Sequence, residues 1–230
     1  MRALILVPLF AAATAHADVE PAREDIVDMR KGRMPSRVAA LGWTEQGAFV
    51  VRETDCGYQD LSDQPNCQVT IYVAERGKTA AFQLFNGWWE IGCGRDGDPP
   101  PECWTITTEA ASAFIKAERA LMEKLGPLTA GTAAKRELPG GRLSVVRYED
   151  QPADRRKAAI ALVKGGRWKP LAIISSVETG SNTFLRNDPA IERVERSPDG
   201  ESLAILTSSS FADSDFYWTS RTVTVLPMPR

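Results

Sequence analysis

Two stretches near opposite ends of this chain issue the same folding instruction. "GWTEQGAFVVRE" (42–53) sets a turn containing Gly47 before an apolar run, and "ERSPDGESLAIL" (195–206) sets one containing Gly200 before another. An alternating segment follows each: "QVTIYV" lies across a polar, cysteine-bounded loop from the first, and "RTVTVL" across "SSSFADSDFYWTS" from the second. The alternation starts 22 residues after Gly47, at Val69, and 23 after Gly200, at Val223. Turn, apolar strand, loop and period-two strand make an antiparallel meander. The two units, 36–78 and 190–229, are each about 40 residues long and form a weak internal repeat.

The second turn has a local account. Pro198 presets φ, Asp199-Gly200 supplies the position that needs φ > 0, and Ser197 is placed to bond back to the turn backbone. In the strand that follows, Leu203 and Ile205 share one side and Ala204 and Leu206 the other, so the strand is expected to be covered on both faces. On these residues the units resemble blades of the Tol-type periplasmic β-propellers, whose repeats carry "SPDG" before a strand and an "IYV"-like strand after a loop. The order of elements is also similar to that of a family of predicted secreted bacterial proteins of unknown function, in which an alanine-rich helix separates two β halves. Neither resemblance implies an activity. Closure of a propeller takes at least four blades, and only two signature units are present here. The expectation is therefore a mainly β domain over 36–230, with one prominent helix and blade-like antiparallel meanders that stop short of a closed ring.

Between the units lies "TTEAASAFIKAERALMEKLGP", expected as a helix over 108–125. Thr107 or Thr108 caps it, Glu109 favours the positive end of its dipole, and Gly126-Pro127 ends it. Phe114, Ala117, Leu121 and Leu125, with Ile115 and Met122 beside them, should pack on a sheet. "TAAFQLF" and "CWTIT" read as strands, "RLSVVRYE" and "KAAIALVKGG" as a hairpin, "WKPLAIIS" as a further strand and "VETGSNTFLRNDP" as a loop.

The first residues set the compartment. Arg2, an apolar run from Ala3 to Ala13 and the small-residue pattern Ala15-His16-Ala17 have the layout of a cleaved signal, residues 1–17, with the cut before Asp18. The apolar run is shorter than the ~20 residues a spanning helix needs, so no membrane span is expected after cleavage. Residues 18–35 form a charged lead-in, expected to hold one short helix. The chain's only histidine, His16, leaves with the signal, and a mature chain without imidazole has no Ser-His-Asp or Cys-His catalysis and no His-bearing zinc site. The expected localisation is periplasmic or secreted.

Cysteine usage agrees with that compartment. Cys56, Cys67, Cys93 and Cys103 allow three pairings, of which Cys56–Cys67 and Cys93–Cys103 is preferred because each brackets a turn-rich loop, "CGYQDLSDQPNC" and "CGRDGDPPPEC". No C-x-x-C pair suggests zinc or a redox dithiol. A formal net charge of −2 with no outstanding basic block argues against nucleic acid and against an anionic membrane surface.

Three kinds of residue could carry function. Aromatics crowd the loops: Trp88 and Trp104 flank the second cysteine loop, and Phe211, Phe216, Tyr217 and Trp218 crowd the third loop. Large aromatics dominate interface hot spots, so these six are the candidate ligand-binding residues, for an envelope protein or a glycan. Acidic residues on the loops (Asp55, Asp60, Asp63; Asp96, Asp98, Glu102; Asp213, Asp215) offer hard oxygen ligands, which makes a calcium-dependent module one alternative. Paired carboxylates, Glu102 with Asp96 or Asp98, make a carbohydrate-active enzyme the other. The primary reading is an exported, disulfide-stabilised binding or structural module with no catalytic residues and no cofactor.

Overall fold

A computed structural model of the chain describes residues 21–33, 35–58, 65–88, 90–91, 104–147, 157–175, 184–185, 190–212 and 217–229. Helix α1 (Pro21–Arg30) precedes a meander of β1 (Ser36–Trp43), β2 (Phe49–Tyr58), β3 (Pro65–Glu75) and β4 (Lys78–Trp88), hydrogen-bonded in that order. Two short strands, β5 (Glu90–Ile91) and β6 (Trp104–Thr105), pair with each other, and α2 (Thr108–Leu125) follows. A second sheet is built from β8 (Glu137–Leu138), β9 (Gly141–Arg147), β10 (Lys157–Lys164) and β11 (Arg167–Ser175), again as a meander. The third sheet joins β13 (Ala190–Arg196), β14 (Ser202–Ala212) and β15 (Tyr217–Pro227), with β7 (Thr132–Ala133) on β13 and β12 (Phe184–Leu185) on β14. All strand pairs in the three sheets are antiparallel and none of the sheets closes into a barrel, so the fold is mainly β with blade-like meanders.

The order in space differs from the order in sequence. The C-terminal sheet lies between the other two. Ala204, Leu206, Val223 and Val225 meet Trp43, Phe49, Val51 and Ala74 of the N-terminal sheet. Leu203, Ile205 and Leu226 meet Leu143, Ile160, Leu162 and Ile174 of the middle sheet. Strand β14 thus buries residues 203–206 on both faces, as an unbroken apolar run should. The outer face of the N-terminal sheet is closed by helices: Val50 and Ile71 pack on Leu121 of α2, and Cys67 and Val69 pack with Ile26, Met29 and Phe114. The layers run helices, N-terminal sheet, C-terminal sheet, middle sheet.

The two signature turns share one hydrogen-bond scheme. Gly47 (φ 80°) and Gly200 (φ 76°) each donate to the carbonyl three residues back, Thr44 and Ser197. The hydroxyl of Thr44 accepts from Ala48 N at 3.1 Å, and that of Ser197 accepts from Ser202 N at 2.9 Å. The second turn is one residue longer after its glycine, at Glu201, which accounts for the 22- against 23-residue spacing.

Strand β4 joins the sheet of the first unit, and the short helix of the lead-in is ten-residue α1, which docks through Ile26 and Met29. Other expectations are corrected. Residues 190–196 form β13, and the loop at 177–189 contains β12. "CWTIT" gives strand only at Trp104–Thr105, since Thr107 already caps α2 through a bond from Ala110 N. Helix α2 spans 108–125 as expected, and Gly126 ends it with φ 75° and a bond to Met122 O. Its buried face is Ala111, Phe114, Glu118 and Leu121, while Ile115 lies outward and is 37% exposed. Glu118 lies on that buried face, where it pairs with the buried Arg52.

Candidate functional site

The β14–β15 hairpin carries three of the six aromatics predicted for binding, Phe211, Tyr217 and Trp218. In β2–β3 the register places Cys56 opposite Cys67, and the two form a disulfide. In β14–β15 the last pairs are Phe211 with Trp218 and Ala212 with Tyr217. The two hairpins point the same way. Arg76, just past β3, forms a parallel bridge with Val225 of β15, and the Thr79 hydroxyl donates to Val223 O at 2.9 Å. Four residues nearer the β14–β15 tip, Arg221 Nη1 donates to Glu53, whose strand partner Thr70 lies six residues nearer the β2–β3 tip than Arg76. Strands β3 and β15 therefore advance together, and the disulfide and the Phe211–Trp218 pair share one end of the layers.

Trp88 joins that end, opposite Asn66 at the close of β4. Trp104 is held opposite Ile91 in the β5–β6 ladder, next to α1, where the Thr105 hydroxyl contacts Arg30 O at 3.5 Å. Phe216, Cys93 and Cys103 lie outside the described residues, as do Asp60, Asp63, Asp96, Asp98, Glu102, Asp213 and Asp215. Asp55, the described member of the acidic set, accepts a 2.7 Å hydrogen bond from Ser36 Oγ.

A cleft opens between the N- and C-terminal sheets. It holds about 170 Å³, lined by Val38, Ala40, Phe49, Val51 and Leu206 with Glu192 and Arg193 at its mouth. That is below the ~300 Å³ at which small-molecule sites begin. Beside it, Glu53 accepts from Tyr72 Oη at 3.0 Å and from Arg221 at 2.5 Å, and Arg221 also reaches Glu192 at 3.3 Å. Burial, then the charge of Glu53, pushes the Tyr72 phenol above its ordinary range. Burial works against the Arg221 charge, but the two carboxylates outweigh it and hold the guanidinium more firmly protonated. Tyr72 is thus a fixed neutral donor at physiological pH. This cluster ties the sheets together.

The feature sequence reasoning missed is a buried charge network under the helices. Arg52, 4% exposed, donates to Asp25 of α1 at 2.5 Å and to Glu118 of α2 at 3.3 Å. Thr54 Oγ1 donates to the same Asp25 oxygen at 2.5 Å, and Arg37 Nη1 lies 3.2 Å from the other. Asp25 is fully buried, so its charge survives only through these partners. Two signals were present: Arg52 interrupts the apolar run "AFVVR", and Glu118 sits within the helix stripe between Phe114 and Leu121. The lead-in's density of charge hid Asp25.

These features define a layered antiparallel β protein whose repeat hairpins converge on one disulfide-locked end. Comparison with family models, with curated proteins and with solved structures finds no match to this chain.

Proposed function

We propose that the chain is an exported binding module of the cell envelope that engages a protein or glycan partner through the shared hairpin end. The observation that carries this reading is the convergence of Cys56–Cys67, Trp88 and the Phe211–Trp218 pair on one end of the layers. A disulfide fixes the backbone of one hairpin, and cross-strand pairing fixes the other. Rigid aromatic anchors lose little entropy on binding, which suits recognition. Removal of His16 with a signal segment would leave recognition a better fit than imidazole-dependent catalysis.

The test is site-specific photo-crosslinking in the cell of origin. A photoreactive residue at Trp218 is expected to trap a discrete partner, and one at exposed Lys116 on α2 is not. Equal adducts from both positions, or none from 218, would remove this reading. Loss of adduct after Phe211→Ala, with the melting temperature unchanged, would strengthen it.

A further inference from the structure

The outer side of a terminal β-strand presents unpaired N–H and C=O groups, and proteins cover or guard such edges. Three edges of this fold are treated in that way. On β13 the outer side is taken by β7, by Ala134, whose N–H donates to Val194 O at 2.9 Å, and by the Arg136 guanidinium, which donates to Ile191 O. The edge of β15 receives Arg76 in a parallel bridge at Val225 and the Thr79 hydroxyl at Val223 O. Strand β11 carries Pro170, which has no N–H to offer, beside the exposed cations Arg167 and Lys169.

Strand β4 is treated differently. It is the terminal strand of the N-terminal sheet and bonds to β3 on one side; among the described residues, no backbone hydrogen bond reaches its other side. Residues 79–88, "TAAFQLFNGW", contain no charged residue and no proline. Thr79, Ala80, Ala81 and Gln83 are exposed, so the edge is open from both faces of the sheet. The β3–β4 ladder is regular from Lys78 to Gln83. Leu84 is then the extra residue of a bulge, since Gln83 pairs with Thr70 and Phe85 with Val69. Phe82 packs with Val50, Ile71 and Leu121 under α2, so alternation puts Ala80 on that face too, and Thr79, Ala81 and Gln83 on the other.

We infer that β4 pairs with β4 of a second copy of this chain, antiparallel along Thr79–Gln83 about a two-fold axis at Ala81, the midpoint of the regular run. The four strands of each copy then form one continuous sheet. In this register Ala81 faces Ala81 of the other copy, Ala80 faces Phe82, and Thr79 faces Gln83. The ring of Phe82 lies against the smallest side chain on its face, and the hydroxyl of Thr79 meets the amide of Gln83 on the other, so the run is complementary to itself. Neutrality points to the same occupant. A charge in the run would be set against its own copy near the axis, and none is present. Selection of a foreign strand calls for a charge or a side-chain pocket, and the run offers neither. The contact is isologous and therefore closes at two copies. The paired run is short, so the dimer dissociates on dilution.

The experiment is sedimentation velocity over a dilution series of the full chain as recovered from the expressing cell. Twice the chain mass is expected at high concentration and the single mass on dilution. Ala81→Lys sets two ammonium groups opposite each other at the axis and should weaken association roughly tenfold or more, and Ala81→Glu should do the same. An equal mixture of those two variants sets Lys against Glu and should associate at least as tightly as the unmodified chain, a result that only pairing across Ala81 produces. Ala80→Glu, on the other face and set against Phe82 of the second copy, should also weaken association, while Lys169→Glu on β11 should leave it unchanged. These positions are exposed, and an unchanged circular dichroism spectrum confirms that each variant folds. Single mass at every concentration would overturn the inference, as would undiminished association of folded Ala81→Lys or Ala80→Glu. A Lys and Glu mixture that stays at single mass would overturn it too, and so would equal loss of association in Lys169→Glu.

Discussion

The N-terminal and middle sheets are both four-stranded antiparallel meanders, and they dispose of charge in opposite ways. Residues 21–88 carry eight Lys and Arg against nine Asp and Glu, and among the described ones Asp25 and Arg52 are buried. Arg52 is buried between Asp25 and Glu118, and Glu53 holds Arg221 across the sheet interface. On the middle sheet Arg142, Lys164, Arg167 and Lys169 are exposed. One architecture thus serves two ends: in the first sheet charge fastens layers together, and in the second it is left available at the surface. The whole-chain charge of −2 shows neither, because acidic residues elsewhere offset the basic surplus of the middle sheet.

The largest effect that could break the comparison is at Arg52. Replacement by Leu removes the guanidinium that Asp25 and Glu118 share and should cost about 3–5 kcal/mol in urea unfolding, whereas Arg167→Leu should stay within about 0.5 kcal/mol. Similar costs at both positions would erase the distinction between fastening and surface charge. Replacing Asp25, Arg52 and Glu118 together by apolar residues of similar size should recover most of the loss, since the penalty belongs to the unpaired charges.

Next in size is the Cys56–Cys67 bridge, which closes an 11-residue separation. Cys56→Ser with Cys67→Ser should cost roughly 3 kcal/mol in the loop-entropy model, with the loss read as a lower urea midpoint. The middle sheet, which has no cysteine, should keep its hydrogen-exchange protection relative to the other layers.

The repeat turns supply a smaller and paired effect. An added Cβ at Gly47 finds no neighbour within 4 Å and at Gly200 only Arg196 Cδ at 3.9 Å, so the penalty is backbone conformation alone. Gly47→Ala and Gly200→Ala should each cost about 1 kcal/mol. Markedly unequal losses would show that the two turns do not play the same part.

The pH dependence has two limbs. The Tyr72 phenol is raised in the folded state above its ordinary 10.0, so its contribution is complete below pH 10 and fades as pH climbs beyond that toward the folded value. Tyr72→Phe should flatten stability above pH 10. Asp199 is held below its ordinary 3.8 by the Ser197 hydroxyl and the Glu201 N–H, so its contribution is present above that value and fades as pH falls below it. That group is wholly exposed, and Asp199→Asn should alter only the acid limb, slightly.

Local chemistry made much of this fold legible. Thr107, Gly126, Gly200 and the 203–206 run each specify their structure through neighbours in sequence, and each is observed as expected. Strand β13 was not legible because "AIERVER" buries Ile191 and Val194 across a bulge at residues 191–193, which breaks the period-two signal. The layer order was not legible either, since nothing local states that the last sheet in the chain lies between the first two. At the candidate site, the register of Cys56 with Cys67 followed from loop spacing. The convergence of two hairpins 150 residues apart depended on the packing of β3 along β15. Asp25 escaped notice because a buried acid and a solvated one look alike until Arg52 is placed above it.

The functional account rests on export and oxidation of the chain, and intact mass spectrometry of the native protein under non-reducing conditions tests both at once. The account predicts a polypeptide beginning at Asp18 whose four cysteines are all oxidised as two disulfides. A mass that begins at Met1, or that retains free thiols at Cys56 and Cys67, would contradict it.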